Sequence, residues 1–528
     1  VGNVSAGPGT QGSWVRAESE HFTLYSNADK ERTVSMATQL ERLRDALGEM
    51  APALRMVSPR PSYIYVFRDT PTFRTYARGK TTAHEVGGLF FSRRDAHYVM
   101  VDGGSGLDPF NLVYHEYLHQ VVDDSFPNAP LWVSEGLAEY FSTFWSNGFQ
   151  AEIGVPIDTY VRDLQSMRMI PFDAVFEMDA GSWGYGAPEW KKAFDAQSWA
   201  LVHYLLHAGP RDRFIDSIAE LGSGRSSAQV IEELVSVPVS ELAPVLRAYL
   251  AREKVPFSTL DLRNGPETIP VRVTRLEEED SLWALGRLVT LGDEKTVARA
   301  EKHFRRALKL NPRHAPSHAA LGDLRSRQGR HDEAETHFRR SLEIDADDYL
   351  THYLYGRSVI NRLQSRGVSA FQRSPAALDD VLEARESFRR STQLSPSFAE
   401  SWVGLGYTFL FEQPVPDAGI DVLERARGQL PARGDIVYYQ VLALLQRGDH
   451  GRANALLGET LECRPSVWIA RAERAIVIES VRAARVLATK GKSDEGVGLL
   501  TRTAEVVGDP ELRAEVEKHR RALVAHRD

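Results

Sequence analysis

The sequence predicts a chain of two unlike parts, an α+β domain followed by an all-α repeat solenoid. Three observations carry this. The 528 residues exceed what one hydrophobic core supports, since single cores stop growing near ~250–300 residues. From Trp14 to about residue 255, strand-like and helix-like patterns alternate. From about residue 279 to the end, helical text recurs with a fixed period. The composition, 42% hydrophobic and 26% charged, is that of ordinary globular protein. A net charge of −8 argues against nucleic acid as a partner, which calls for a basic domain or stripe.

Residues 1–12 read as a flexible tail. This Gly/Ser-rich start without Met fits a removed signal peptide, which implies a periplasmic or secreted bacterial protein, and it fits a truncated chain equally. His21–Tyr25 alternates as a strand, and Asp29–Met50 is helical, with Met36, Leu40, Leu43 and Leu47 on one face. Ser62–Phe67 is a strand. Gly87–Phe91 and His97–Val101 form two more, joined by a polar turn that suits a hairpin. A helix starts at Asp108, whose carboxylate caps it, with Pro109 at its first position. A second helix, LWVSEGLAEYFSTFW, follows the loop DDSFPNAP, and Ala196–His207 and Val230–Leu250 are also helical. Residues 13–255 thus form one domain. Residues 256–278, with Pro, Gly and alternating polar residues, read as a linker that can hold a short strand.

Residues 279–528 repeat themselves. AEKHFRRALKLNP carries Ala300 and Phe304, AETHFRRSLEID carries Ala334 and Phe338 thirty-four residues later, and ARESFRRSTQLSP carries Ala384 and Phe388. Gly322, Gly356 and Gly406 each follow a large or apolar residue, Gly329 and Gly448 fall in inter-helix loops, and the third unit is stretched around Gln364–Pro375. A 34-residue period with small residues at helix crossings resembles tetratricopeptide repeats, in five or six units. Such a helix pair cannot bury its apolar face alone, and stacking creates a concave groove. The expectation is a protein partner in that groove, against a purely intramolecular scaffold.

The chemistry concentrates in HEYLH, residues 115–119. On a helix, His115 and His119 lie one turn apart on one face and can meet one metal ion, while Glu116 can reach a metal-activated water without ligating. Glu135 opens the next helix as a third ligand. Two His and one Glu leave the fourth position open, as in catalytic rather than structural zinc sites. Glu139, one turn on, can reach the far side of a ligating His. The expected cofactor is one Zn2+ per chain. Cys463 is the sole cysteine and supplies neither a disulfide nor a thiolate cluster. No run of 18 or more apolar residues occurs, so no membrane span is expected.

HEYLH followed by W-x-x-E-G-L-A-E-Y resembles the gluzincin metallopeptidases, specifically the bacterial peptidase MA-like domain, over about residues 13–255. Relatives of that kind often carry downstream tetratricopeptide repeats. The resemblance implies an α+β zincin-like metallopeptidase domain, with His115, His119 and Glu135 as ligands and Glu116 as general base and acid. It also implies a substrate strand: Gly88, Leu89 and Phe90 would pair with extended peptide backbone, the alternative being an ordinary core hairpin. One position departs from the pattern. Asp195 stands before AQSW, where the family places an oxyanion-stabilising Tyr, and a carboxylate would repel an oxyanion. Tyr185 and His203 are the replacements considered. His203 and His207 could pair on a metal as HYLLH, but read better as helix-face histidines, and His84, His97, His303 and His314 show no ligand spacing. The aromatic and Gly-rich stretch Phe172–Trp190 reads as a pocket wall or a core plug.

Two functions compete. One is a zinc metallopeptidase whose repeats recruit a protein or peptide substrate. The other, motivated by Asp195, is a weakly active or inactive homologue that binds peptide or protein through its repeats. Hydrolysis of another amide bond is a third, since the zinc-water mechanism serves any amide.

Overall fold

The computed structural model describes residues 13–525, except 53, 78–86, 127, 180–187, 223–224, 263–268, 291–293, 369–376 and 461–466. The chain divides into two compact units, Val1–Ala320 and Leu321–Asp528.

The first unit begins with strands β1 (Val15–Glu18) and β2 (Thr23–Ser26), helix α1 (Lys30–Met50), strand β3 (Ser62–Phe67), helix α2 (Thr70–Ala77) and the hairpin β4 (Gly88–Ser92) and β5 (His97–Asp102). Helices α3 (Pro109–Ser125) and α4 (Leu131–Ser142) and strands β6 (Trp145–Ser146) and β7 (Gln150–Ile153) follow. Next come helices α5 (Asp158–Ser166), α6 (Phe172–Glu177), α7 (Pro188–His207), α8 (Arg211–Gly222), α9 (Ser227–Val235) and α10 (Leu242–Leu250). Strands β8 (Ser258–Asp261) and β9 (Arg272–Arg275) and helices α11 (Glu278–Val289) and α12 (Glu294–Leu310) complete it.

Six strands form a mixed sheet in the order β4-β5-β3-β2-β1-β9, with β2, β3 and β5 parallel and β4 antiparallel to β5. The central strand β3 is buried over Ile64–Phe67, in keeping with its continuous apolar text. The predicted caps form: Asp29 accepts from the Arg32 amide and Asp108 from the Phe110 amide. Val113, Tyr117, Leu118, Val121 and Val122 of α3 enter the core, so the remaining face of that helix carries the polar motif.

Three expectations are corrected. The segment read as a linker contributes a strand to each sheet: β8 pairs with β7, and β9 pairs with β1. The first repeat pair, α11 and α12, lies in the first unit. Arg287 of α11 stands over the Tyr63 ring at 4.4 Å and donates to Tyr98 Oη at 2.6 Å, while Tyr65 Oη donates to the Ala284 carbonyl. A desolvated guanidinium on aromatic rings ties helix to sheet more firmly than an exposed pair would. The predicted Val230–Leu250 helix breaks in two, because Ser236 is left-handed (φ 57°) and Pro238 follows.

The second unit is helical throughout its described residues. Its helices are α13 (Ala315–Arg327, which carries the division), α14 (His331–Ile344), α15 (Tyr349–Ser365), α16 (Leu378–Leu394), α17 (Ala399–Phe409) and α18 (Asp417–Gln429). α19 (Gly434–Gln446), α20 (His450–Thr460), α21 (Val467–Thr489), α22 (Ser493–Val506) and α23 (Pro510–Ala525) follow. The repeat signature has a steric cause. A Cβ on Gly322 would stand 3.0 Å from the Phe338 ring, one on Gly356 3.0 Å from Phe388, and one on Gly406 2.4 Å from Leu423. Each small residue admits the large one of the next helix. Gly329 and Gly448 turn the chain between helices at φ 73° and 78°, which only glycine adopts freely.

Candidate metal centre

HEYLH lies near the middle of α3, and its two imidazoles face the same way. His115 Nε2 and His119 Nε2 are 3.0 Å apart, and Glu135 Oε2 of α4 stands 3.5 Å from the first and 3.8 Å from the second. A triangle with these sides has an interior point about 2 Å from every corner, the length of a zinc–nitrogen or zinc–oxygen bond. The three expected ligand residues therefore converge. Behind them, His119 Nδ1 meets Ser134 Oγ at 2.9 Å, and His115 Nδ1 faces Glu139 Oε1 at 3.6 Å. With each Nδ1 carrying its proton toward these oxygens, two Nε2 lone pairs and a carboxylate oxygen point at one spot. Burial and the neighbouring ring push His115 down to about 3, and burial lowers His119, so both rings are neutral and able to ligate. This donor set fits Zn2+ with one position open.

Glu116 is buried and turned toward strand β4. A Cβ on Gly88 would come within 2.6 Å of Glu116 Oε1 and 2.9 Å of its Cγ, so glycine is what lets strand and side chain meet. Burial, with Glu135 adding to it, raises the Glu116 carboxyl to about 8, and a divalent cation held beside it would favour the ionised form that accepts a proton. Phe90, two residues on and so on the same face of the pleat, stacks against His119 at 6.4 Å and His97 at 5.6 Å. Leu89 points to the other face. β4 ends the strand order, so among the described residues its outer edge carries no partner strand. We expect Gly88→Ala to displace the Glu116 carboxyl from β4 and to leave the three converging residues in place; zinc uptake equal to that of the wild-type chain checks it.

Glu139 behaves differently from expectation. At 3.6 Å its contact with His115 exceeds hydrogen-bond length, and its Oε1 accepts from Tyr160 Oη at 3.0 Å. Asp195 does reach the centre, but paired: Lys191 Nζ lies 2.7 Å from its Oδ2 and 3.9 Å from Glu135 Oε2. Ser134, Tyr160 and Lys191 are the residues that sequence reasoning missed. Ser134 neighbours a ligand and was open to the same spacing argument; the other two arrive through tertiary packing. The placement of Lys191 depends on Gly136, where a Cβ would meet the Ser198 carbonyl at 2.6 Å, so α4 and α7 cross almost in backbone contact.

His203 is not at the centre. Its Nε2 donates to the Gly154 carbonyl at 2.9 Å and its Nδ1 accepts from Tyr249 Oη at 2.8 Å, which leaves no N–H for a substrate. It is a buried core histidine. His207 meets Tyr140 Oη, in keeping with the helix-face reading of HYLLH. Tyr185, His84 and Cys463 lie outside the described residues, as does most of the Gly-rich part of Phe172–Trp190. A second cluster, His97, Asp123 and Asp124, also groups ligand-type atoms. There Arg60 donates to Asp124 at 3.0 Å and Asp123 at 3.4 Å, so a guanidinium already meets the charge.

Burial holds His203 down at about 4, below its ordinary 6.5. In the unfolded chain the ring takes a proton below pH 6.5, so stability is intact above that pH and is lost as pH falls toward 4. The loss amounts to about 3 kcal/mol. Thermal unfolding across pH 4–7 should show this slope, and His203→Gln should flatten it.

The family described as tetratricopeptide repeat matches residues 294–349, and that described as protein of unknown function (DUF1570) matches residues 111–226. The second span holds HEYLH, Glu135 and Asp195. No curated protein sequence matches the chain. Among solved structures, the pilF protein of Pseudomonas aeruginosa is similar at 17% identity, with 46% of this chain and 97% of that chain covered and a TM-score of 0.31. TTC0263, a tetratricopeptide-repeat protein of Thermus thermophilus, is similar at 19% identity, with 38% and 99% covered and a TM-score of 0.29. The chain thus carries tetratricopeptide repeats, an architecture for protein–protein interaction. Among the described residues no helix is long and apolar enough to cross a membrane.

Proposed function

We propose that this chain is a zinc-dependent hydrolase of the gluzincin type, with a zincin-like α+β domain that cleaves peptide bonds and repeats that hold a protein substrate or partner. The observation behind this reading is the convergence of His115 Nε2, His119 Nε2 and Glu135 Oε2 on one point with Glu116 beside it. A zinc ion bound there supplies the Lewis acidity that lets water give up a proton near neutral pH. Glu116 takes that proton and returns it to the leaving amine. The outer edge of β4, which carries no partner strand among the described residues, lays an extended substrate backbone beside Glu116, and Gly88 keeps the approach clear. Ser134 holds the His119 imidazole in the ligating tautomer, and the Glu139 carboxyl faces the far side of the His115 ring.

The second reading is a binding module in which the repeats carry the function. The match of the repeats to a protein-interaction family supports it. Incubating zinc-loaded protein with a broad peptide library separates the two. The hydrolase reading expects chelator-sensitive cleavage that Glu116→Gln removes. Binding without product, equal in both proteins, leaves the module reading.

A further inference from the structure

The candidate metal centre is crowded with acid groups. Glu116, Glu135, Glu139 and Asp195 all bear on it, and Lys191 is the cation set among them. Asp195, its partner one turn along α7, is almost wholly buried, and the pair is aimed at α4 by the Gly136 crossing. The Lys191 side chain is 30% exposed. Its Nζ is 3.9 Å from Glu135 Oε2, itself one of the converging ligand atoms, which sets Nζ within about 6 Å of the point where the ligands meet. An oxygen on the Lys191 side of that point stands closer still, and a lysine stem flexes enough to bring Nζ into N–H···O reach of it.

We propose that Lys191, steered by Asp195, is the catalytic cation that meets the charge developing on the scissile carbonyl oxygen. This rests on the hydrolase reading above. As the oxygen of water bonds to the carbonyl carbon, its proton passes to Glu116 and the carbonyl π pair moves onto the carbonyl oxygen. That oxygen accepts an N–H hydrogen bond from Lys191. When the pair returns, the carbon–nitrogen bond breaks and the amine leaves with the proton from Glu116. Asp195 is a positioning residue: its carboxyl, 2.7 Å from Nζ, holds the amine turned inward. A carboxylate at position 195 is then compatible with catalysis, because its charge is spent on the lysine and not on the oxyanion.

The test uses the full chain loaded with cobalt(II), whose visible spectrum reports ligands at the metal, titrated with inorganic phosphate as a probe for oxygen-borne charge. Lys191→Met should keep the cobalt spectrum and metal content, bind phosphate about 10- to 100-fold more weakly, and lose about 10²–10³ in kcat with little change in KM. Lys191→Arg should restore part of the phosphate affinity. Asp195→Asn should weaken phosphate binding by a smaller factor, and adding it to Lys191→Met should have no further effect. Phosphate affinity and kcat that stay at wild-type values in Lys191→Met, with cobalt bound, overturn the role of Lys191 while the metal site stands. Failure of the wild-type chain to take up cobalt overturns both.

Discussion

Replacing Glu116 with Gln is expected to reduce hydrolysis by about 10²–10⁴, the range that one positioned proton acceptor contributes, with zinc content unchanged. Gln keeps the length and shape of the side chain, so the contact with Gly88 and the packing of α3 survive. What disappears is the ability to accept a proton from water. Because Glu116 is not among the three converging ligand residues, the metal should stay. The separation of the two readouts is the informative part. A variant that loses zinc as well would place Glu116 among the ligands, and one that keeps full turnover would remove it from the reaction.

Gly136→Val should be a damaging packing change in the first unit. Its Cβ would stand 2.6 Å from the Ser198 carbonyl and 2.6 Å from Val202 Cγ2, and a backbone carbonyl cannot swing aside. The helices α4 and α7 must then part. Overpacking of this kind costs about 1–3 kcal/mol, and contact with backbone belongs at the upper end. The effect reaches the metal centre, because α4 carries Glu135 and α7 carries Lys191 and Asp195. Thermal unfolding should shift downward and zinc affinity should fall together. Gly136→Ala, with a smaller group on the same Cβ, should show a milder version of both. A stable variant with wild-type zinc affinity would mean that the crossing does not position the site.

Much of this site was legible in the sequence. HEYLH carries its own geometry, because residues one turn apart on a helix share a face, and the Asp108–Pro109 start fixes that helix in place. Glu135 followed from spacing alone, since a short loop returns the next helix beside the first. What spacing could not supply was direction across the fold. His203 sits on a helix with an apolar neighbourhood, and nothing in its sequence says whether it faces the centre or the carbonyl of Gly154. Lys191 comes from a helix whose crossing with α4 is set by Gly136, and Tyr160 reaches Glu139 through tertiary packing, not local pattern. The strands β8 and β9 were hidden for another reason. They are short, largely polar and paired at sheet edges, so alternation of apolar residues is weak. The first repeat pair looked like its fellows in sequence, with Phe304 against Gly286 as Phe338 is against Gly322. Its place on the sheet depends on Arg287 and the Tyr63 and Tyr98 rings, which no repeat pattern announces.

The central claim is that His115, His119 and Glu135 hold one metal ion. The direct measurement is zinc content per chain after equilibration with excess zinc and removal of unbound metal, in the wild-type protein, His119→Ala and Glu135→Ala. The account predicts close to one zinc per wild-type chain, and a loss of affinity in each variant greater than the ~10–100-fold that a change behind the ligands brings. A wild-type chain without zinc, or variants that keep it with undiminished affinity, would contradict the account.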